Sequence, residues 1–501
     1  MMSGFRRLTT ERLMAAVLFM LLFAMAVRVP TDTDTWWHLR SGEIMVEQRA
    51  VLRHDLFSHT RLNAPWINHS WGAQLVLYGA YKLFGGGVSP GDSGNIGLAL
   101  ITALLATGGM ALVYAACEGN AYVRAFAVVL GGATAAVFWS PRPQMFSFAL
   151  GAAVLYLLYL YKRRQIDRLW LIPPLIVLWV NLHGGFAIAF IVLLGTIAGE
   201  VLGSLFGDTR PTVVRGARLR KLVGVTALSI PLVAVNPYGL RMLAYPFDTV
   251  GIGALQDFIQ EWATPDFHQP QTWPFLLLLL GIIAVFGISG RRADWTDLVL
   301  VAGTAAMALL AGRNIAVFAL VATPVLTRHL DAWLTERGWQ IRPRRRVGGP
   351  LLAANWLLLG LVAVGALAKV GAVLSRETMR EAQTELFPVE LAAYLEQTHP
   401  GEHLFNSYNW GGYLIFAAPH VPVYVDGRTD LYNDEFLRQY LDVLLLREGW
   451  EAALEQQEID RVAIEAQSAL AGALRAMPER WRELRFDDNR SALFERLPAN
   501  G

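Results

Sequence analysis

The chain has 501 residues, of which 54% are hydrophobic and only 17% are charged. Roughly a quarter of the residues of a soluble protein are charged. The composition of this chain therefore excludes a wholly soluble protein and indicates a membrane protein. Residues 376–501 hold 12 Arg, no Lys and 22 Asp or Glu, whereas the whole chain has a net charge of +2. A basic membrane part with an acidic tail argues against nucleic acid as a partner.

Apolar segments of membrane-spanning length recur along residues 1–375. A transmembrane helix needs about 20 apolar residues. The first segment follows a basic start, and the absence of a small-residue cleavage site favours a retained membrane helix over a signal peptide. We expect the short apolar stretch 71–84 to lie on the membrane surface. The sequence predicts about eleven spans, at 11–29, 97–117, 122–139, 143–161, 168–181, 186–205, 221–235, 273–290, 296–312, 314–330 and 350–373.

Basic loops orient these spans. Lys and Arg cluster at 6–12, 162–168, 210–221, 291–292 and 337–346. Such loops face the cytoplasm, so eleven spans place the N-terminus inside and the tail outside. We therefore predict a multi-pass protein of a bacterial inner membrane. It would comprise a membrane domain (1–375), with an acidic first outer loop (30–70), and a soluble α/β domain (376–501) on the periplasmic or extracellular side.

Polar motifs that were not used to orient the spans all fall on the predicted outer side. Polar groups at membrane depth are costly and usually line a cavity, so their shared side predicts one site at the outer membrane face. The motifs are at 32–34, 66–71, 142–144, 181–185, 236–239, 261–262 and 313–314.

Two acidic residues, Asp32 and Asp34, begin the first outer loop. Carboxylates at alternate positions can bind a divalent cation such as Mg²⁺ or Mn²⁺ through oxygen ligands. One of them could instead be the general base that deprotonates an acceptor hydroxyl. The structural alternative is that both cap a helix that begins near Trp36.

Four aromatic or imidazole side chains of the same loop are candidates for contact with a substrate. Trp36 and Trp37 could stack on sugar faces or anchor the loop at the membrane interface. His38 and His69 could bind the substrate or simply pack against neighbours.

Arg142 and Arg313 lie at the predicted outer ends of two spans. The planar guanidinium offers paired donors that suit a phosphate, so both residues are candidate phosphate contacts. The alternative is that each side chain extends to the interface as a membrane anchor. Three further candidates for substrate binding are His183, which two glycines follow, and the neighbouring Glu261 and Trp262.

The tail alternates between strand and helix patterns, which predicts a small layered α/β domain. A β-rich run at 421–425 ends in the turn signal Asp426-Gly427. The predicted strands are 403–407, 459–464, 482–486 and 492–495, and the predicted helices are 412–418, 435–446 and 450–457.

With these residues, the chain resembles the GT-C superfamily of membrane glycosyltransferases. The resemblance rests on the acidic first outer loop with Asp32 and Asp34, the many spans, the arginines on the outer face and the terminal domain outside. It covers nearly the whole chain in layout but only short stretches in residues. The tail segment SYNWGGYLIFAAPHVPVYVDGRTDLYN is also similar to oligosaccharyltransferase catalytic subunits around their Trp-Trp-Asp-Tyr-Gly motif.

The tail departs from that oligosaccharyltransferase motif at one important position. Trp410, Gly412 and Tyr413 match the layout, but Gly411 stands at the place of the aspartate that helps to bind the acceptor peptide. The chain therefore resembles a GT-C enzyme more than an oligosaccharyltransferase. The tail residues that the resemblance adds as candidates for substrate binding are Tyr408, Trp410, Tyr413, Asp426 and Arg428, although Asp426 and Arg428 could instead only fix their turn.

The resemblance implies a membrane glycosyltransferase that moves a sugar from a polyprenyl-phosphate donor to a glycan, lipid or protein acceptor. Arg142 and Arg313 would hold the phosphate, and Asp34 would deprotonate the acceptor or share a metal ion with Asp32. Two alternatives stay open. A transporter of a lipid-linked glycan should show internal repeats and polar residues on both sides. A non-catalytic assembly protein would keep its function without Asp34.

Overall fold

The computed structural model describes residues 8–250, 253, 261–339, 348–398 and 403–498. Parts of the basic clusters 6–12 and 337–346 lie outside these residues. Each of the eleven predicted spans lies on a helix, and seven helices of the described residues are long and apolar enough to cross a membrane. The helices of the membrane part are Thr10–Ala26, Thr35–Gln48, Trp71–Leu83, Gly94–Ala116, Ala121–Ala135, Gln144–Arg163, Ile172–Leu182, Ala187–Leu205, Gly216–Leu232, Tyr245–Val250, Trp273–Ile288, Trp295–Leu310, Ile315–Glu336 and Gly349–Val373.

The helix Ile315–Glu336 is the centre of the bundle. Of its most apolar stretch, 83% is buried, because it packs on Ala121–Ala135, Trp273–Ile288 and Trp295–Leu310. The helix Gly349–Val373 is the opposite case, with only 6% of its apolar stretch buried within the protein. An apolar helix whose surface is so little covered by the rest of the protein suits a position that faces lipid.

The stretch predicted to lie on the membrane surface forms the helix Trp71–Leu83. With 13 residues it is shorter than the roughly 17 residues that a span needs. It packs against Thr35–Gln48 on one side and Gly94–Ala116 on another. Its position relative to a membrane stays a prediction.

The tail contains a four-stranded sheet with helices packed on it, as the alternating pattern predicts. The strands are β1 Leu404–Asn406, β2 Arg461–Glu465, β3 Trp481–Arg485 and β4 Ser491–Arg496, and the helices from residue 376 onward are Arg376–Leu386, Val389–Thr398, Tyr408–Ala417, Asp434–Leu444, Trp450–Gln456 and Ala469–Arg475. The strand order is β1-β2-β4-β3, with β1 and β2 parallel and the other neighbours antiparallel.

The β-rich run 421–425 does not enter this sheet. Val423 instead forms an isolated parallel bridge with Ser58 of the loop 30–70. The Val423 amide donates to the Phe57 carbonyl, and the His59 amide donates to the Val423 carbonyl, each at 3.0 Å. The extended run therefore ties the tail to this loop.

The loop 30–70 and the tail also share one hydrophobic core. Trp36 packs edge-to-face on Phe387 and Tyr413, with ring centroids 5.4 and 5.5 Å apart, and against Phe416 at 5.3 Å. Burial of such large rings removes much apolar area from water, at about 25 cal/mol per Å². The tail is therefore docked on the loop by apolar contacts as well as by backbone bonds.

A buried ion triad completes the interface. The Arg428 guanidinium donates to Asp55 Oδ1 at 2.6 Å and makes two bonds to Asp426, at 2.7 and 2.8 Å. All three side chains have no exposed area. The rings of Phe57 and Trp66 lie 4.9 and 5.0 Å from the guanidinium carbon. The Asp-Gly-Arg turn therefore has a structural role, one of the two alternatives open for Asp426 and Arg428.

We expect Arg428→Ala to loosen the tail from the loop. The substitution leaves two buried carboxylates without their cation, a loss of about 3–5 kcal/mol. The variant should show a lower thermal unfolding midpoint and faster proteolytic release of the tail in lipid nanodiscs.

Arg438→Ala is the matched control for Arg428→Ala. Arg438 pairs with Asp434 at 2.9 Å in the same domain, but both side chains are more than 40% exposed. Removal of such a surface pair changes stability by less than about 1 kcal/mol. Equal unfolding midpoints for the two variants would contradict the role of the buried triad.

Candidate active site

A cavity of about 590 Å³ lies between the membrane part and the tail. Its polar walls come from several segments, among them the loop 30–70, the starts of Gln144–Arg163 and Ile315–Glu336, the loop at 261–262, and the tail turn at 427–430. The predicted site residues that line it are Asp34, Trp37, His38, His69, Arg142, His183, Glu261, Trp262, Arg313, Tyr408 and Arg428.

The other predicted residues lie beside the cavity or inside the protein. Asp32 lies 3.4 Å from an Arg142 nitrogen but does not line the cavity. Asp426 is fully buried in the ion triad. Trp36 and Tyr413 pack in the core that the loop and the tail share, where Trp410 is also buried. These rings have no face open to this cavity.

Asp34 begins a helix but does not cap it. The helix starts at Thr35, and the Asp34 side chain makes no capping bond. Its Oδ1 instead accepts a hydrogen bond from the Trp37 indole at 3.1 Å, and its Oδ2 lies 3.0 Å from an Arg142 nitrogen. The carboxylate is thereby directed toward the cavity.

The tail holds Asp34 from the other side. A side chain at Gly427 would overlap the Asp34 carboxylate, and one at Gly412 would overlap the Thr33 carbonyl. Only glycine allows the tail backbone to approach the loop this closely. The tail is therefore part of the wall around Asp34.

Arg142 gathers three carboxylates. One of its terminal nitrogens lies 3.4 Å from Asp32 and 3.3 Å from Glu261, and the other lies 3.0 Å from Asp34. Thr35, which follows Asp34, donates its hydroxyl to the Pro141 carbonyl at 3.3 Å and so ties the two segments together. Asp32 in turn accepts the Asp34 amide at 3.1 Å.

Burial sets the protonation of this cluster. Removal from water raises the pKa of Asp34 to about 7. The attraction of Arg142 lowers this pKa in part, and the repulsion from Asp32 and Glu261 raises it further. Burial alone would lower the pKa of Arg142, but the three carboxylates hold it well above its ordinary value. Asp34 can therefore exchange a proton near neutral pH beside a permanently charged guanidinium.

A second arginine faces the cavity without a carboxylate within ion-pair distance among the described residues. The Arg313 guanidinium stacks over the Trp262 ring, with its carbon 4.1 Å from the ring centroid. The Arg313 amide donates to the Glu261 carbonyl at 2.9 Å, and the Gly312 amide donates to Ala263 at 3.0 Å. These bonds fix the loop at 261–262 against the start of the helix Ile315–Glu336.

The tautomer of His183 follows from its neighbours. The Gly185 amide donates to His183 Nδ1 at 3.1 Å, so Nδ1 is an acceptor. The Ser147 hydroxyl lies 2.7 Å from the same nitrogen and accepts the Trp179 indole N–H at 2.6 Å. A neutral His183 therefore carries its proton on Nε2 and can donate it to a ligand.

Tyr245 and Asp430 also line the cavity, and the sequence analysis did not single them out. The Tyr245 hydroxyl lies 2.5 Å from His69 Nδ1 and donates to Asp430 at 3.4 Å. His69 and Asp430 are 3.8 Å apart. Tyr245 belongs to no motif, and Asp430 could have been noticed only because it follows the Asp-Gly-Arg turn closely.

The carboxylates at Arg142 do not fit a metal ion as they are arranged. No group of three His, Cys, Asp or Glu side chains among the described residues could hold one. Mg²⁺ needs oxygen ligands at about 2.0–2.1 Å. Asp32 and Asp34, the sequence candidates for metal ligands, are instead 3.4 and 3.0 Å from nitrogen atoms of Arg142.

The chain is similar to known proteins in its fold. No protein-family model and no curated protein sequence matches it. An archaeal oligosaccharyltransferase from Archaeoglobus fulgidus, in complex with an inhibitory peptide and a dolichol-phosphate, aligns with a TM-score of 0.60 at 12% identity, over 97% of this chain and 75% of that one. An oligosaccharyltransferase from the same organism, tethered to an acceptor peptide with an NVT sequon, gives a TM-score of 0.55 at 13% identity, over 91% of this chain and 69% of that one.

A mycobacterial arabinofuranosyltransferase has a similar fold, with a TM-score of 0.50 at 15% identity. The alignment covers 99% of this chain but 40% of that one. These glycosyltransferases belong to the GT-C superfamily. The chain is therefore a multi-pass helical membrane protein with the GT-C fold and a small C-terminal sheet domain, as its sequence predicts.

The raised pKa of Asp34 should be visible by infrared spectroscopy. Because burial raises this pKa, the carboxyl is protonated below a pH of about 7 and ionised above it. We expect a protonated-carboxyl band that disappears through this pH and that is missing from Asp34→Asn.

Asp266→Asn is the control for this titration. Asp266 is 51% exposed, and the His268 amide lowers its pKa. Its replacement should leave the band in place. A band that persists in Asp34→Asn, or that titrates near the ordinary pKa of an aspartate, would contradict the assignment.

Proposed function

We propose that the protein is a membrane glycosyltransferase that moves a sugar from a polyprenyl-phosphate donor to the hydroxyl of a glycan, lipid or protein acceptor. The observation that carries the proposal is Asp34, a largely buried carboxylate whose pKa is raised to about 7 and which faces a cavity that two arginines also line. A general base works best when its pKa is near the working pH.

The reaction needs one base and one group that stabilises the departing phosphate. The acceptor oxygen attacks the anomeric carbon and passes its proton to Asp34. The bond from the anomeric carbon to the phosphate oxygen breaks, and its electron pair stays on the phosphate. Arg313 is suited to this charge, because its guanidinium lines the cavity and stacks on Trp262.

The remaining polar groups suit sugar recognition. His183 can donate from Nε2, and Tyr245 and His69 form a hydrogen-bonded pair in the wall. Trp37 and Trp262 line the cavity and could offer a ring face to a sugar. Arg142 is less available for the phosphate than Arg313, because three carboxylates already surround it.

Two features of the fold support a lipid-linked donor. The cavity lies where the helices of the membrane part meet the tail, so a polyprenyl chain could stay in the bilayer while its headgroup enters. The archaeal neighbour with the same fold is described in complex with a dolichol-phosphate. We further propose that the site faces the periplasm of a bacterial inner membrane, from the distribution of basic loops.

The first test is turnover by the purified protein in lipid nanodiscs with a panel of radiolabelled polyprenyl-phosphate sugars. Sugar should be released from at least one donor and transferred when membrane extract supplies the acceptor. Asp34→Asn should lose on the order of 10²–10⁴-fold in rate because the base is removed. In the wild type, kcat/KM should rise with pH through about 7, as Asp34 loses its proton.

Asp266→Asn again serves as control and should keep wild-type turnover. Transport of intact lipid-linked glycan across the membrane without sugar release would favour the transporter alternative. An Asp34→Asn variant with full turnover would exclude Asp34 as the base.

A second test addresses Arg313. Replacement by Gln removes the charge and should weaken binding of the donor phosphate by about tenfold or more, since a charge-assisted hydrogen bond contributes roughly 1.5–3 kcal/mol. Binding of undecaprenyl phosphate to the protein in nanodiscs measures this directly.

The control for Arg313→Gln is Arg241→Gln. Arg241 is exposed and does not line the cavity. The Arg241→Gln variant should bind undecaprenyl phosphate with the affinity of the wild type. Equal affinity of all three proteins would show that Arg313 does not contact the phosphate.

A further inference from the structure

One guanidinium lies where three carboxylates from distant parts of the chain meet. Asp32 and Asp34 follow the first helix, Glu261 lies in the loop before Trp273–Ile288, and Arg142 precedes Gln144–Arg163. The three carboxylates lie 3.0–3.4 Å from the two terminal nitrogens of Arg142. Three segments of the chain, at 32–34, 142 and 261, therefore meet at this one cation.

Three carboxylates that lie together and are only 16–32% exposed need a positive charge. Like charges near each other in a medium of low dielectric repel strongly, and they stay together only around a cation. That cation can be a bound metal ion or a side chain. Here the Arg142 side chain takes the position, and 19% of it is exposed.

A metal ion added here would meet two positive side chains. Arg142 is already in contact with the carboxylates, and Arg313 lies beside Glu261, stacked on Trp262. The distance from a divalent ion to its oxygen ligands is much shorter than the 3.0–3.4 Å between these carboxylate oxygens and the Arg142 nitrogens. The ion would have to displace the guanidinium and overcome its repulsion.

We propose that the Arg142 guanidinium is the permanent cation of this site, takes the place of a divalent metal ion, and positions Asp34 toward the acceptor. The metal-binding part of this proposal is independent of the proposed function, whereas the positioning part rests on it.

The difference between the two cations matters for Asp34. A divalent ion would take an Asp34 oxygen as a ligand and favour its ionised form strongly. A guanidinium only donates hydrogen bonds, so Asp34 keeps the ability to take up a proton. Chelators should then have no effect on turnover.

The test is the binding of Mn²⁺ to the full chain in nanodiscs, followed by electron paramagnetic resonance. The wild type should bind no Mn²⁺ at this site. In Arg142→Ala the three carboxylates lose their guanidinium, and about one Mn²⁺ per chain should bind in its place through their oxygen atoms. The double variant Arg142→Ala/Glu261→Gln should lose this gained ion, and Arg142→Lys should stay free of Mn²⁺.

A second readout tests the positioning role. The infrared titration of Asp34 should move to higher pH in Arg142→Gln, because the attraction of the positive charge is lost. Arg142→Lys keeps the charge and should restore a titration near that of the wild type. A purely structural role would leave the titration of both variants unchanged.

Three outcomes would overturn the proposal. The first is one Mn²⁺ bound by the wild type and lost in Asp34→Asn. The second is a folded Arg142→Ala variant that binds no Mn²⁺. The third is wild-type turnover that stops with a chelator and returns with Mn²⁺. If no donor turns over, the proposed function fails, yet the Mn²⁺ measurement still decides on Arg142.

Discussion

The arrangement of the site depends on one interaction, the buried ion pairs that the Arg428 guanidinium makes with Asp55 and Asp426. Burial of ions is costly unless each has its partners, and here the chain supplies them in full. Asp55 also accepts the Ser58 hydroxyl at 2.6 Å, and Asp426 accepts the Tyr432 hydroxyl at 2.8 Å. Because the turn that carries Arg428 also carries Gly427, the same triad sets the tail backbone against Asp34. The tail is therefore a wall of the cavity and not a separate attachment.

The two cavity arginines have different surroundings. Arg142 contacts three carboxylates. Arg313 rests on the Trp262 ring and forms no ion pair with another described residue. Asp34 contacts Arg142, and the Trp37 indole is a further donor to it. Many chemistries can share a fold, so we infer glycosyl transfer from these side chains and not from the GT-C fold alone.

Local sequence patterns predicted the secondary structure well, because hydropathy and turn residues act within a few positions. All eleven predicted spans lie on helices, and β1 to β4 overlap the predicted strands. The run 421–425 shows the limit. Its β-branched residues favour an extended backbone, but their pairing partner is Ser58, which no local pattern could identify. Trp36 shows the same limit, since an aromatic residue suits both a sugar contact and the core that it joins.

The sequence by itself determined the membrane class, the helices and the α/β tail. Each follows from composition or short-range periodicity. Tertiary structure alone decided the partners of those motifs. It showed that Asp34 pairs with Arg142 and does not cap its helix, that Tyr245 and Asp430 join the cavity wall, and that Arg428 is buried. These outcomes depend on the approach of segments far apart in the chain, where packing and desolvation select among alternatives that look the same in sequence.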